Sequence, residues 1–194
     1  MISKFKILLI LLTSLMVWSC ADKKNKTLKI PETNMEEQMS TVYKEGYIEL
    51  QKGDVRLAAK KFNEAELLFP QSPWAAKSVV MAAYAYYLQS YYYDAISELE
   101  RYLLTYPKDK NRAYAQFLLG MSFYEQIVDE KKDLKTLLDS KRHFEIVIKE
   151  YPGSEFAMDA KFKIDLINEI LAAKEMYLAR YYLNKTKWIP ALNR

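Results

Sequence analysis

"AAKKFNEAELLFP" (58–70), "AISELERYLLTYP" (95–107) and "SKRHFEIVIKEYP" (140–152) are one pattern written three times. Each stretch closes on an aromatic residue and a proline, and Pro70, Pro107 and Pro152 stand 37 and 45 residues apart. Counted from its first residue, each carries matching side chains at offsets 0, 4, 7 and 11. These are Ala58, Phe62, Ala65 and Phe69; Ala95, Leu99, Tyr102 and Tyr106; and Ser140, Phe144, Val147 and Tyr151. Such spacing puts all four on one face of an α-helix. The proline ends that helix, because it has no N–H to donate and its ring collides with the preceding turn. A period in this range predicts a solenoid of helical units, each too small to bury its apolar face alone.

Upstream of each stretch a second helix is expected, marked by a small residue where two helices approach closely: Gly46, Ala83 and Gly120, followed three residues later by Glu49, Tyr86 and Phe123. Small residue, aromatic, alanine, large apolar, alanine and proline at these intervals resemble the tetratricopeptide (TPR) pattern. The third unit departs from it, with Ser140 in place of alanine and about eight extra residues around Asp129 to Lys135. The repeats are placed at about 39–72, 76–109 and 113–153. Composition agrees with an all-α fold: among 194 residues glycine is scarce (4) and tyrosine abundant (16), with 51% hydrophobic and 28% charged residues, as in one globular domain. Ser72 before Pro73, and Ser154 after Gly153, are expected to cap the helices that follow them.

Beyond Pro152 nothing breaks the chain from Ala157 to Tyr182, which predicts one long helix over about 155–183. Ala179, Tyr182 and Ala191 then repeat the spacing of Ala83, Tyr86 and Ala95, so a fourth unit begins at about 172. The sequence ends at Arg194 before that unit's large apolar position and proline. Either the chain is truncated or something covers the unfinished end.

The N-terminus has a different character. Lys4 and Lys6 precede an uncharged apolar run, Ile7 to Trp18, of 12 residues. That is short of the roughly 20 needed to span a bilayer as a helix, and it reads as an export signal over residues 1–19. The run closes on Val17-Trp18-Ser19-Cys20, which resembles the bacterial lipobox, although Trp18 replaces the usual small residue. The resemblance implies cleavage between Ser19 and Cys20, an S-diacylglycerol group on the Cys20 sulfur and an N-acyl group on its new amine. Cys20 is the only cysteine, so no internal disulfide forms. The alternative is an ordinary signal peptide with an accidental cysteine. Several acyl chains, each CH₂ worth roughly 0.8 kcal/mol, hold a protein to a membrane effectively for good. Residues 20–38, polar and containing Pro31, read as a tether leading to a helix that starts near Asn34.

Chemistry of another kind has little support in the sequence. The net charge is +4, and Lys4 and Lys6 supply two of those charges, which leaves +2 from Cys20 onward. That is too little to argue for nucleic acid. His143 is the single histidine, expected at the surface and without a partner for a metal site or a nucleophilic triad. "VDEKKD" (128–133) mixes both charges and reads as a solvated loop. All four glycines have structural uses, so no phosphate-cradling loop is left, and neither metal nor cofactor is expected apart from the covalent lipid.

Lipobox, short tether and TPR units together resemble the BamD-type lipoproteins of the outer-membrane β-barrel assembly machine. The likeness is carried by "GMSFYEQIVDEKKDL" (120–134), "EYPGSEFAMDAKFKI" (150–164) and "LARYYLNKTKWIPALNR" (178–194), and extends from Cys20 to Arg194. It implies a non-catalytic periplasmic scaffold, lipid-anchored in the outer membrane, that recognises unfolded barrel precursors and docks to the BamA-type subunit and other lipoproteins of the complex. Family members usually have five repeats, and docking is associated with the later ones. The resemblance also implies that the first helix of each hairpin lines a peptide groove: Tyr43 and Tyr47 in the first unit, Lys77, Tyr84 and Tyr87 in the second, and Tyr114, Phe117, Met121 and Tyr124 in the third. An aromatic groove with a basic mouth suits an extended segment carrying aromatic side chains and an acidic group. The competing explanation is that individual tyrosines simply pack between repeats. A different envelope TPR lipoprotein, serving a secretin or the cell wall, is the alternative function. Ala21 directly after Cys20, with Asp22 one place later, favours sorting to the outer membrane.

Overall fold

The computed structural model describes residues 32–127 and 134–194. The expected signal peptide, the lipidation and cleavage at Ser19 and Cys20, most of the tether and the stretch 128–133 lie outside the described residues. Among the described residues there are eight helices: α1 (Glu32–Lys52), α2 (Val55–Leu68), α3 (Pro73–Leu88), α4 (Tyr92–Thr105), α5 (Arg112–Tyr124), α6 (Lys135–Glu150), α7 (Glu155–Asn184) and α8 (Trp188–Leu192). Each packs on the next in sequence, and α1, α3, α5 and α7 also touch one after another. The fold is an all-α TPR-like solenoid of helical hairpins whose first helices form a continuous inner row.

The repeated positions make the core. Ala58, Phe62, Ala65, Ala95, Leu99, Tyr102, Ser140, Phe144 and Val147 are all fully buried. Removing a side chain the size of Phe62, Leu99, Phe144 or Val147 from water contributes about 1.5–3 kcal/mol. The small residues permit it. A Cβ added at Gly46 would lie 3.0 Å from a ring carbon of Phe62, and one at Gly120 would lie 2.8 Å from Phe144. Ser140 is also accounted for, since its buried hydroxyl donates to the Gly120 carbonyl at 2.9 Å across the same close approach.

Three first helices end in the same turn. Gly53, Ser90 and Thr186 have φ of 84°, 60° and 58°. After each, the next amide reaches five residues back: Asp54 to Glu49, Tyr91 to Tyr86 and Lys187 to Tyr182, at 3.0 Å in every case. This Schellman turn satisfies carbonyls that the helix end leaves open. Each of the three left-handed residues lies seven places after Gly46, Ala83 or Ala179, so the fourth unit keeps the register of the first two. Asp165 lies 13 residues after Pro152, as Ala83 follows Pro70 and Gly120 follows Pro107, and Ala179 lies 14 further on. Fourteen residues are nearly four helical turns. Helix α7 therefore runs through the first-helix register twice.

Two expectations need correction. Helix α1 begins at Glu32, so residues 32–38 are helical and not tether. Ser72 caps α3, accepting from the Trp74 amide at 3.2 Å, but the Ser154 hydroxyl donates to the Tyr151 carbonyl at 2.8 Å and caps nothing. That carbonyl belongs to the residue closing α6 and has no bond inside the helix, so it draws the hydroxyl.

Candidate functional site

The inner row of helices presents its aromatic residues in three different states. In the first unit Tyr43 is half-buried, its ring centroid 5.2 Å from Phe62 and 5.4 Å from Trp74. The Lys77 ammonium sits 5.4 Å from the Tyr43 centroid and 4.6 Å from that of Trp74. Ring faces attract a cation there at little desolvation cost. Tyr47 is 48% exposed, and with Tyr43, Lys44, Ile48 and Lys77 it lines a hollow of about 510 Å³.

A second hollow, of about 540 Å³, lies on the other side of Lys77, between Trp74 and the loop carrying Lys108, Asp109 and Lys110. Asp109 is already engaged, accepting from the Tyr102 hydroxyl and from the Asn111 amide at 2.8 Å. Three ammonium groups against one occupied carboxylate leave this mouth positive and suited to an acidic ligand group. Trp74 was not among the expected groove residues. The signal was present in the sequence, since it is an aromatic residue directly after the proline that opens α3.

In the second unit Tyr84 and Tyr87 pack against the central core together with Tyr114 of the third. Burial pushes Tyr87 and Tyr114 up to about 12, reinforced by Glu125, Tyr92 and Tyr84 around Tyr87 and by Tyr84 and Tyr87 around Tyr114. They stay neutral and offer O–H donors at any physiological pH. The third unit differs again. Tyr114 and Phe117 meet Phe156 of α7 at 5.4 and 5.6 Å, and Phe117 also meets Phe144 at 5.6 Å. Met121 and Tyr124 pack on the core shared with α7, and Lys163 lies 4.4 Å over the Tyr124 ring. The nine expected residues thus share one row, but the third-unit members are covered by α7, and the Phe117 ring is taken up by contacts within the stack. The exposed portion is Tyr47, Trp74 and Lys77, continued by the half-buried Tyr43, Tyr84 and Tyr87.

His143 is not at the surface as expected. It is buried, stacked on Phe123 at 5.4 Å and 4° from parallel, and its Nδ1 accepts from Gln116 Nε2 at 2.6 Å. Burial, with Arg142 nearby and only partly offset by Asp139, lowers its pKa to about 4. It is a neutral packing residue. Among the described residues no three His, Cys, Asp or Glu side chains are grouped to hold a metal ion, and no helix is long and apolar enough to cross a membrane.

A family model described as "YfiO: Outer membrane lipoprotein" matches residues 35–194. Curated relatives named outer membrane protein assembly factor BamD include that of Caulobacter vibrioides, 33% identical over 178 residues, 92% of this chain and 57% of the relative. The Rickettsia prowazekii protein is 32% identical over 185 residues, 95% of this chain and 71% of its own. The Neisseria gonorrhoeae protein is 28% identical over 199 residues, covering 97% and 74%. The chain thus spans little more than half the length of the Caulobacter relative.

Proposed function

The chain belongs to the YfiO outer membrane lipoprotein family, and from that premise we propose that it is a non-catalytic scaffold of the outer-membrane β-barrel assembly machine. Its task is to hold unfolded barrel precursors and to dock onto the BamA-type subunit and the other lipoproteins of the complex. The observation that carries the proposal is the pair of hollows on either side of Lys77, one lined by Tyr43 and Tyr47 and the other by Trp74 and the lysine loop, with the half-buried Tyr84 and Tyr87 further along the same row. Flat aromatic rings take up aromatic side chains of an extended segment, and the ammonium groups take an acidic group at its end. Nothing in this task requires turnover, a metal or a cofactor. The anchor is the S-diacylglyceryl, N-acylated Cys20, which keeps the repeats at the periplasmic face of the outer membrane.

The test is binding of a peptide copied from the C-terminal strand of a barrel precursor, measured by fluorescence anisotropy. The double variant Tyr84→Ala/Tyr87→Ala, checked for helix content, is expected to weaken binding at least ten-fold. Unchanged affinity in the folded double variant overturns the groove. Recovery of a secretin or peptidoglycan without a BamA-type subunit, from detergent-solubilised envelope, overturns the wider assignment.

A further inference from the structure

The double register of α7 leaves one place in the solenoid without its second helix. In the first three hairpins the second helix starts 23, 19 and 23 residues after the first; between α7 and α8 the interval is 33. Helix α8 packs on the later half of α7, where Ala191 is buried and Arg194 reaches Glu175 at 3.4 Å. The earlier half is left with a bare stripe, Met158, Phe162 and Leu166, spaced i, i+4 and i+8 and exposed by 68%, 63% and 44%. With Ile148 and Pro152 at the end of α6, Met158 and Phe162 wall a hollow of about 1020 Å³. Its charged lining is Glu155, Asp159 and Asp165 against the single cation Lys161.

We propose that this hollow is a docking site for a basic amphipathic helix of a partner protein, laid along α7 where each earlier repeat has its own second helix. The i, i+4, i+8 ridge is the surface against which helices pack. The charges choose the occupant. Asp165 stands at the register position of Gly46, Ala83 and Gly120, so a carboxylate faces the approaching helix where the other repeats present almost no side chain. A second copy of this chain would set Asp159 and Asp165 against their own equivalents, and an anionic lipid surface would meet three carboxylates; a lysine- or arginine-flanked apolar face pairs with them. This site lies on the far side of the third unit from the open tyrosines and does not depend on the groove.

The test places a benzophenone amino acid at Phe162, and separately at Met158, in the full chain in its native envelope, and sequences the photo-adduct. The expected adduct maps to a lysine- or arginine-flanked amphipathic helix in a different protein, and Asp159→Lys/Asp165→Lys lowers its yield at least ten-fold with helix content unchanged. An adduct within this chain, with a second copy or with lipid, an adduct indifferent to the charge reversal, or none from either position overturns the proposal. Tyr84→Ala/Tyr87→Ala is expected to leave the adduct unchanged, which separates failure of this site from failure of the groove.

Discussion

Between α2 and α4 the carboxylate of Glu66 is buried and takes bonds from Arg101 at 2.8 Å and from the Tyr106 hydroxyl at 2.6 Å. Between α5 and α6 the buried side-chain pair is His143 with Gln116, both neutral. The two junctions share one repeat pattern but meet unequally the requirement that polar atoms enclosed by packed helices find partners: Glu66 is bonded, whereas the His143 Nε2 is buried without a partner. They differ in what sets their stability. The first is a network, extended by Arg101 to Glu98 at 3.0 Å and by Asn63 to Glu98 at 2.9 Å. Its charges answer one another, and Arg101 keeps 40% of its side chain in water. The second works only while the histidine stays uncharged, and it rests on a ring, Phe144, seated against a residue with no side chain.

Three changes are expected to pull the junctions apart, in decreasing order of effect. Phe144→Ala empties the space over Gly120 and is expected to cost about 3–5 kcal/mol, read by urea unfolding followed at 222 nm; a loss under 1 kcal/mol would mean that the third hairpin does not depend on this contact.

Acid comes next. The His143 pKa is lowered to about 4 from an ordinary 6.5, so between those values the unfolded chain binds the extra proton and the folded one does not. Stability is therefore whole above pH 6.5, falls as pH drops through the window and levels off below about 4, by up to about 3 kcal/mol in all. The check is the slope of stability against pH in wild type and in His143→Leu, which is expected to be flatter; identical slopes would remove the histidine from the account.

Glu66→Ala is the mildest. It deprives Tyr106 and Arg101 of their acceptor and is expected to cost about 1–3 kcal/mol, kept small because water replaces part of what Arg101 loses. If Glu66→Ala unfolds the chain more readily than Phe144→Ala, the ranking of the two junctions is reversed.

Much of this was visible in the order of residues. Offsets 0, 4 and 7 identified side chains that are fully buried in all three units, and offset 11 the half-buried Phe69, Tyr106 and Tyr151, because a helical face is a local property of the chain. The spacing of Ala179 and Ala191 anticipated the fourth turn at Thr186, even though threonine there hides the left-handed backbone that glycine advertises at Gly53. What stayed hidden depends on residues far away in sequence. His143 looks like an edge position until Gln116, 27 residues earlier, and Phe123 close over it. Phe117 has the register of a groove residue, but Phe156 arrives from the next helix to cover it. The bare stripe on α7 could be found only by noticing that α8 starts late.

Among the described residues every helix touches only its neighbours and next-but-one neighbours in sequence. Contacts so close in sequence are formed quickly, since little chain entropy is lost before they are made. They also let each hairpin form as soon as its own residues are free. A chain emerging N-terminus first can close α1 on α2 and begin the tyrosine row while α7 and α8 are still to come.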